Sequence, residues 1–308
     1  MTLRTDPAAP SAAAPTAAST GEPKAATMAL GASAAALSAA AAAAVRIELL
    51  DDVAHQRDAA DVIDQVWQMD EGHRLLEPNL LRALAHSGNY VAGAFAGAQL
   101  IGACVGFLGR DGNGSQLLHS HVAGVLPGGA GRGVGRAMKL HQRAWCLQRE
   151  VQTIAWTYDP LIARNAYLNL RVLGASAEEY LVAFYGQMAD AINAGDRTDR
   201  LLVRWHLTAP VPDPPEVGID RAVPAAIYRD AAGAPVAAAT PDASRCRLAI
   251  PADIEALRRS EPELATRWRM VVGEVLPALL ATGWAVTGFD RAGHYLLDRA
   301  PAAPPGRS

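Results

Sequence analysis

The stretch LLHSHVAGVLPGGAGRGVGRAMKLHQRAWCLQRE, residues 117–150, decides the fold of this chain. Its first ten residues have the apolar run of a buried strand, GGAGRGVG at 128–135 is a glycine-rich turn, and the remainder has helical spacing. Glycines let the backbone turn tightly and point several free N–H groups one way. The helix that follows adds unpaired amides and its positive dipole end. The stretch therefore predicts a site that binds a phosphate group.

Two arginines accompany this turn, Arg132 within it and Arg136 at the start of the predicted helix. Positive charge opposes the helix dipole at an N-terminus, so two arginines there are unfavourable unless an anion is bound. We therefore expect Arg132 and Arg136 to contact phosphate. The alternative is that both are simply exposed basic side chains.

The composition excludes several other functions. Half of the 308 residues are hydrophobic, and 28 basic against 31 acidic residues give a net charge of -3, which argues against a nucleic-acid binder. The three cysteines, Cys104, Cys146 and Cys246, are scattered and form no CxxC pair. They predict a reducing, cytoplasmic location with no disulfide framework and no metal site.

The N-terminal segment is rich in alanine and proline, and residues 28–45 carry no charge. It resembles a membrane span by length, but alanine inserts weakly into membranes and no basic segment directly precedes it. We expect no membrane association and a tail over 1–44 that is disordered or only transiently helical.

Hydrophobic periodicity beyond this tail predicts the order β-αα-βββ-α-β-α-ββ, an α/β domain over 45–208. Its last helix should open at Asp159-Pro160, with Asp159 as N-cap, and end near Leu173. A Pro/Ala-rich linker is predicted over 209–244, a small α/β unit packed on the main domain over 245–298, and a disordered tail over 299–308.

The turn fits neither of two common phosphate-binding patterns. GxxxxGK followed by Ser or Thr is absent, and GxGxxG fails because Val134 or Arg136 takes the place of its last glycine. What remains, Gly131-Arg132-Gly133-Val134-Gly135-Arg136, resembles the turn that holds the pyrophosphate of coenzyme A in the GNAT acetyltransferase superfamily. The family's two glycines fall on Gly133 and Gly135, and its Arg or Gln position falls on Ala130, a departure.

The resemblance continues through WTYDPLIARNAYLNLRVLGA at 156–175, which is similar to a GNAT subgroup with W-T-F/Y-D-P at a strand end. It extends to DRLLVRW at 199–205, AIPADI at 249–254 and LATRW at 264–268. It implies a mixed sheet with two splayed central strands, 117–126 and 153–158, flanked by helices, with a small C-terminal α/β extension. The pantetheine arm of the cofactor would insert between the splayed strands.

The implied activity is N-acyl transfer, with acetyl-CoA as co-substrate, no metal, and an amine on a small molecule or peptide as acceptor. One alternative is a non-catalytic acyl-CoA-binding sensor or interaction module. Another is a turn that serves strand–helix packing alone. The resemblance and the helical face shared by two asparagines imply a cofactor-binding set. Its members are Ala123, Gly124, Val125, Gly131, Arg132, Gly133, Val134, Gly135, Arg136, Asn165 and Asn169.

Catalytic candidates are fewer. His119 and His121 share one strand face by the period of two, and either could relay the proton of the amine; the alternative is two hydrogen-bonded core histidines. The family's acidic tyrosine and its asparagine fall on Leu170 and Ala163, both departures. Tyr185 is then the candidate acid, with Tyr180 as a second choice, although tyrosines in strands usually serve packing.

Overall fold

The computed structural model describes residues 22–186, 195–211, 222–239 and 242–299. Seven strands form the main sheet. They are β1 (Arg46–Leu49), β2 (Tyr90–Ala96), β3 (Gln99–Arg110), β4 (Gln116–Val125), β5 (Thr153–Tyr158), β6 (Ser176–Leu181) and β7 (Arg200–His206). Their spatial order is β1-β2-β3-β4-β5-β7-β6, and every neighbouring pair is antiparallel except β4 with β5. The predicted mixed sheet is confirmed.

The two central strands diverge soon after they meet. β4 and β5 pair at Leu118 with Ile154 and at His119 with Ala155, and the recorded pairing ends there. The rest of β4, from residue 120 to 125, continues to pair with β3 alone. The splay predicted for 117–126 and 153–158 is therefore present, and it leaves one edge of β4 without a strand partner.

Helices cover both faces of the main sheet. They are α1 (Glu22–Ala42), α2 (Val53–Trp67), α3 (Pro78–His86), α4 (Val134–Leu147) and α5 (Ala163–Ala166), and α5 continues as a π-helical segment, Tyr167–Val172. One apolar cluster lies under α4, with Met138, Leu118 and Ile154 among its buried members. A second cluster lies under α2 and α3 on the opposite face.

The disordered tail predicted for 1–44 is wrong for residues 22–42, which form α1; residues 1–21 lie outside the described part of the chain. A stripe of alanines at helical spacing, Ala32, Ala36, Ala39, Ala40 and Ala43, is buried. Small side chains let α1 pack closely on α4. Gln148 Nε2 donates to Ser33 Oγ at 3.1 Å, and Arg132 Nη2 donates to the Ala43 carbonyl at 3.2 Å, so the two helices run antiparallel.

By length and composition alone, Ala25–Ala42 within α1 could cross a membrane, and it is the one such helix among the described residues. Its exposed face carries Leu30 and Leu37. The packing of its alanine stripe on α4 favours a place in the domain. The predicted absence of membrane association remains a prediction.

A second sheet follows. Its strands are β8 (Ala225–Arg229), β9 (Pro235–Ala237), β10 (Arg245–Ala249), β11 (Trp284–Phe289) and β12 (His294–Arg299), in the order β11-β12-β10-β8-β9. The linker predicted over 209–244 is thus wrong where β8 and β9 lie, and the tail predicted from 299 is wrong at Arg299. Residues 212–221, 240–241 and 300–308 lie outside the described residues.

This second unit contacts the main sheet where β5 ends. It also contains α6 (Ile254–Ser260) and α7 (Pro262–Ala281). The Tyr295 hydroxyl donates to the Pro160 carbonyl at 2.7 Å and lies 3.2 Å from the Tyr158 hydroxyl. The helix predicted from Pro160 begins instead at Ala163, because Asp159 Oδ1 accepts from the Leu161 amide at 2.9 Å and forms a turn there.

Candidate functional site

The glycine turn between β4 and α4 is open to solvent. Gly131 and Gly133 have φ values of 74° and 83°, in the left-handed region that favours glycine. A β-carbon placed on Gly128, Gly131 or Gly133 would have no neighbouring atom within 4 Å. Among the described residues, no side chain therefore packs against these three positions of the turn.

Part of the turn has backbone amides without an acceptor among the described residues. Gly129 N donates to the Leu126 carbonyl at 2.8 Å, and Ala137 N donates to the Gly133 carbonyl at 3.0 Å. Between these bonds, the amides of residues 131–136 have no acceptor among the described residues. They stand at the N-terminus of a 14-residue helix, where unpaired N–H groups and the positive dipole end attract anions. The arrangement suits a phosphate or diphosphate.

The two arginines of the turn have different surroundings. The Arg132 guanidinium already donates to the Ala43 carbonyl just past the end of α1. Arg136 is exposed and has no recorded hydrogen bond or ion pair within the described ranges. Of the two, Arg136 is better placed to meet an anion without giving up a contact.

The π-helical segment after α5 borders the same turn. The Leu168 side chain lies 3.8 Å from the β-carbon position of Gly135. Asn169 is buried in this segment and Asn165 is half-buried in α5. A π-helix spaces its residues differently around the helix axis from an α-helix, so the α-helical spacing that predicts one shared face for Asn165 and Asn169 does not apply here. π-Helical segments are frequent at functional sites.

The far half of β4 holds Ala123, Gly124 and Val125, and it begins with a β-bulge. Val105 pairs with Val122 while Gly106 pairs with Ser120, so His121 is the extra residue. A β-carbon on Gly124 would lie 2.7 Å from the Trp67 ring. Glycine at 124 therefore lets the end of α2 pack directly on the splayed strand.

The predicted catalytic histidines lie together on the sheet face opposite α4. The ring centroids of His119 and His121 are 5.9 Å apart, and the Phe107 ring lies 4.9 Å from His119 and 5.9 Å from His121. Neither imidazole has a hydrogen-bond partner among the described residues. The alternative of hydrogen-bonded core histidines finds no support there.

Both imidazoles favour the neutral form. Burial, with the nearby charges of His121 and Lys139, lowers the pKa of His119 to about 4, and burial lowers the pKa of His121. A neutral imidazole has a lone pair with which to accept a proton at pH 7.

Tyr185 lies on the other side of the splay. Its hydroxyl is 3.2 Å from Thr157 Oγ1, and Thr157 lies two positions after Ala155, the last residue of β5 that pairs with β4. Thr157 therefore shares the sheet face of His119. Tyr180 is excluded as the acid, because its buried hydroxyl donates to Asp199 at 2.7 Å and burial raises its pKa.

Lys139 is a residue of this region that the sequence analysis missed. Its Nζ donates to Ser120 Oγ at 2.7 Å and to Gln142 Oε1 at 3.1 Å. It also lies 4.0 Å above the centre of the Trp156 ring. Only its position between Met138 and Leu140, on the apolar side of α4, could have indicated burial.

Two further observations concern metal-binding groups and cavities. No group of three or more His, Cys, Asp or Glu side chains in the described part of the chain could hold a metal ion. A cavity of about 530 Å³ lies where α2 ends, and none of the glycine-turn or β4 residues lines it. Its lining is polar: Asp64, Gln65, Gln68, Met69, Asp70, Glu71, Gly72, His73, Arg74 and Glu77.

No protein-family model and no curated protein matches the chain. Solved structures similar to it include a protein of the GNAT acetyltransferase family from Desulfovibrio desulfuricans, 15% identical with a TM-score of 0.41, which covers 53% of this chain and 99% of its own. The ribosomal-protein-S18-alanine N-acetyltransferase of Escherichia coli is 12% identical, with a TM-score of 0.42 and coverages of 55% and 98%. NAA60 of Arabidopsis thaliana, in complex with a bisubstrate analogue, is 12% identical, with a TM-score of 0.43 and coverages of 53% and 97%.

Proposed function

We propose that this chain is a GNAT-type N-acyltransferase that transfers an acetyl group from acetyl-CoA to an amine. One observation carries the proposal: the edge of a splayed strand leads directly into an open turn, and within the described part of the chain neither that edge nor the amides at 131–136 have a partner. A diphosphate fits the turn and the helix N-terminus behind it. The amides of a pantetheine arm fit the free edge of β4, as an added strand would.

The cofactor contacts come from backbone more than from side chains. Gly131, Gly133 and Gly135 keep the turn open, and the amides of Val134 and its neighbours donate to the diphosphate. Arg136 adds a charge, and the strand residues 123–125 offer N–H and C=O groups to the pantetheine. Asn165 and Asn169 border the cofactor from the side of α5.

The proposed base and acid lie on the sheet face opposite α4. An amine must be neutral to attack a thioester, so it needs a group that accepts its proton. His119 or His121 supplies that group on one side of the splay. A free backbone N–H of β4, such as that of Val125, stabilises the oxyanion. Tyr185 stands on the other side, where a departing thiolate can be protonated.

The proposal is tested by calorimetry with coenzyme A, followed by a thiol-release assay with acetyl-CoA and a panel of amines. Binding with release of free thiol on at least one amine supports it. Binding without turnover on any amine favours the acyl-CoA sensor, which the departures at Leu170 and Ala163 also favour. If the protein has no affinity for coenzyme A, the glycine turn serves only the packing of strand against helix.

Replacing the two arginines should separate their roles. We expect Arg136→Ala to weaken coenzyme A binding about tenfold, since a charge-assisted hydrogen bond contributes about 1.5 kcal/mol. Arg132→Ala should weaken it less, because Arg132 already donates to Ala43. Calorimetry on both variants measures the two losses of coenzyme A affinity. A larger loss in Arg132→Ala than in Arg136→Ala would contradict the prediction.

His119 should remain neutral well below pH 6. We expect its imidazole to titrate near pH 4 in the folded protein, because burial and the charges of His121 and Lys139 disfavour the cation. An NMR titration of ¹⁵N-labelled histidine measures this, with the urea-unfolded chain as control, where about 6.5 is expected. His121→Asn should raise the pKa of His119. A pKa of His119 near 6.5 in the folded wild type would show that burial and the neighbouring charges do not act on it as described.

The same two residues have a kinetic test. His119→Ala and His121→Ala should lower the acetyl-transfer rate without lowering the melting temperature if one of them relays the proton. Equal rates in both variants and the wild type would show that neither does. Tyr185→Phe tests the acid in the same assay.

A further inference from the structure

We propose that Lys139 supplies a buried positive charge at the base of the splay, where it stabilises the departing thiolate of coenzyme A. The inference rests on the proposed function and adds a residue that the sequence resemblance does not provide.

The position of Lys139 relative to the splay is the first argument. Ser120 and Trp156 are the first residues of β4 and β5 beyond the last pair, His119 with Ala155. The Lys139 ammonium contacts both of them, the hydroxyl of one and the ring of the other. It therefore spans the two strands from the side of α4, at the point where they separate.

The lack of a counter-ion is the second argument. Lys139 is 5% exposed, and a buried ammonium is costly unless it is paired. Among the described residues, no carboxylate forms an ion pair with it; its recorded partners are a hydroxyl, an amide oxygen and an indole ring. A thiolate formed at the base of the splay would supply the missing negative charge.

The step balances without another reactant. The amine nitrogen bonds to the thioester carbonyl carbon, the C–S bond breaks, and sulfur leaves with the bonding pair. The Lys139 ammonium pairs with the thiolate and keeps its own proton. The amine gives its proton to His119 or His121, and the thiolate takes one proton from Tyr185 as coenzyme A leaves, so the step is balanced once solvent returns the histidine's proton to the tyrosine.

The titration of Lys139 suits this step. Burial lowers its pKa to about 8, close to that of an ordinary thiol. A group with this pKa is mostly protonated at pH 7, so its positive charge is present when the thiolate forms. The other titratable groups around it are the thiols of Cys104 on β3 and Cys146 on α4, with His119 on the opposite face of β4.

The decisive measurement needs no acceptor amine. The ultraviolet absorbance of the thiolate is followed while free coenzyme A and coenzyme A bound to the protein are titrated. In the wild type we expect the bound thiol to titrate about 1–3 pH units below the free thiol, the shift that a nearby opposite charge produces. In Lys139→Met the shift should disappear, and in Lys139→Arg most of it should remain.

Two controls separate charge from structure. Desulfo-coenzyme A, which lacks the sulfur, should bind equally well to the wild type and to Lys139→Met. Arg149→Met removes a cation just past the end of α4 and should leave the thiol shift unchanged.

The outcomes distinguish this inference from the proposed function. If the wild type binds no coenzyme A, the proposed function fails, and this inference fails with it. If it binds coenzyme A but the bound thiol titrates like the free one, Lys139 has no such role and the cofactor site stands. An equal shift in the wild type and Lys139→Met would assign the effect to another group. The wild-type titration tests the inference without any variant, so the test still applies if a variant fails to fold.

Discussion

Gly133→Asp is expected to lower the affinity for coenzyme A a hundredfold or more, whereas Gly133→Asn should keep it within a few-fold of the wild type. The two side chains have nearly the same shape and differ in charge. A β-carbon on Gly133 meets no atom within 4 Å, so either side chain fits the space of the empty turn. The φ of 83° is strained for most residues, but Asn and Asp tolerate this region best.

The size of the effect follows from electrostatics. A carboxylate beside a bound diphosphate is a like-charge contact, which costs several kcal/mol at an interface, and about 2.7 kcal/mol already corresponds to a hundredfold. Calorimetry at low salt measures the affinities, and thermal melting checks that both variants fold equally well. Equal affinities in the Asp and Asn variants would show that the diphosphate does not bind in this turn.

The turn was predictable because every signal for it is local. The apolar run of β4, the glycines with free φ and the amphipathic α4 lie within 34 consecutive residues, and each is visible without knowledge of the rest of the chain. The splay of β4 from β5 has no such local signal. Its prediction rested on the family resemblance, and the pairing of the two strands confirms it.

Features that depend on tertiary contacts were missed. α1 gave no periodic signal because alanine, 11 of its 21 residues, lies on both faces and its two leucines are exposed, so hydrophobicity does not mark the buried stripe. β8 and β9 are short and lie in a Pro/Ala-rich region whose composition suggests a linker. Lys139 could not be singled out, because its burial depends on Ser120 and Trp156 from two other strands.

The second large effect concerns the buried ion pairs between the end of β5 and the second unit. The Arg269 guanidinium donates to Asp159 Oδ2 at 2.7 Å and to Asp196 Oδ2 at 3.0 Å. Arg258 contacts the same two carboxylates at 2.7 and 2.9 Å. Asp159 and Arg269 are 5% and 2% exposed, so removing one partner leaves charge buried without compensation.

Arg269→Leu should therefore lower the free energy of unfolding by about 3–5 kcal/mol, the usual cost of breaking a buried ion pair. Arg245→Leu is the matched control. Its partner Asp298 lies at 2.9 Å, but both side chains are largely exposed, and such pairs contribute at most about 1 kcal/mol. Urea unfolding of the three proteins at pH 7 gives the comparison. A loss in Arg269→Leu no larger than in the control would mean that leucine packing offsets the lost pairs.

Acid should remove the same contribution in the wild type. Burial alone would raise the pKa of Asp159, but the charges of and hydrogen bonds from Arg269 and Arg258 outweigh it and hold the pKa well below its ordinary value. A depressed folded-state pKa gives stability that is present above the unfolded value, about 4, and is lost as the pH falls below it. The wild type should therefore lose more stability between pH 5 and pH 2 than Asp159→Asn, whose side chain cannot titrate. Parallel pH profiles for the two proteins would contradict the coupling, and the junction between β5 and the second unit would then owe its stability to apolar contacts such as those around Tyr158 and Tyr295.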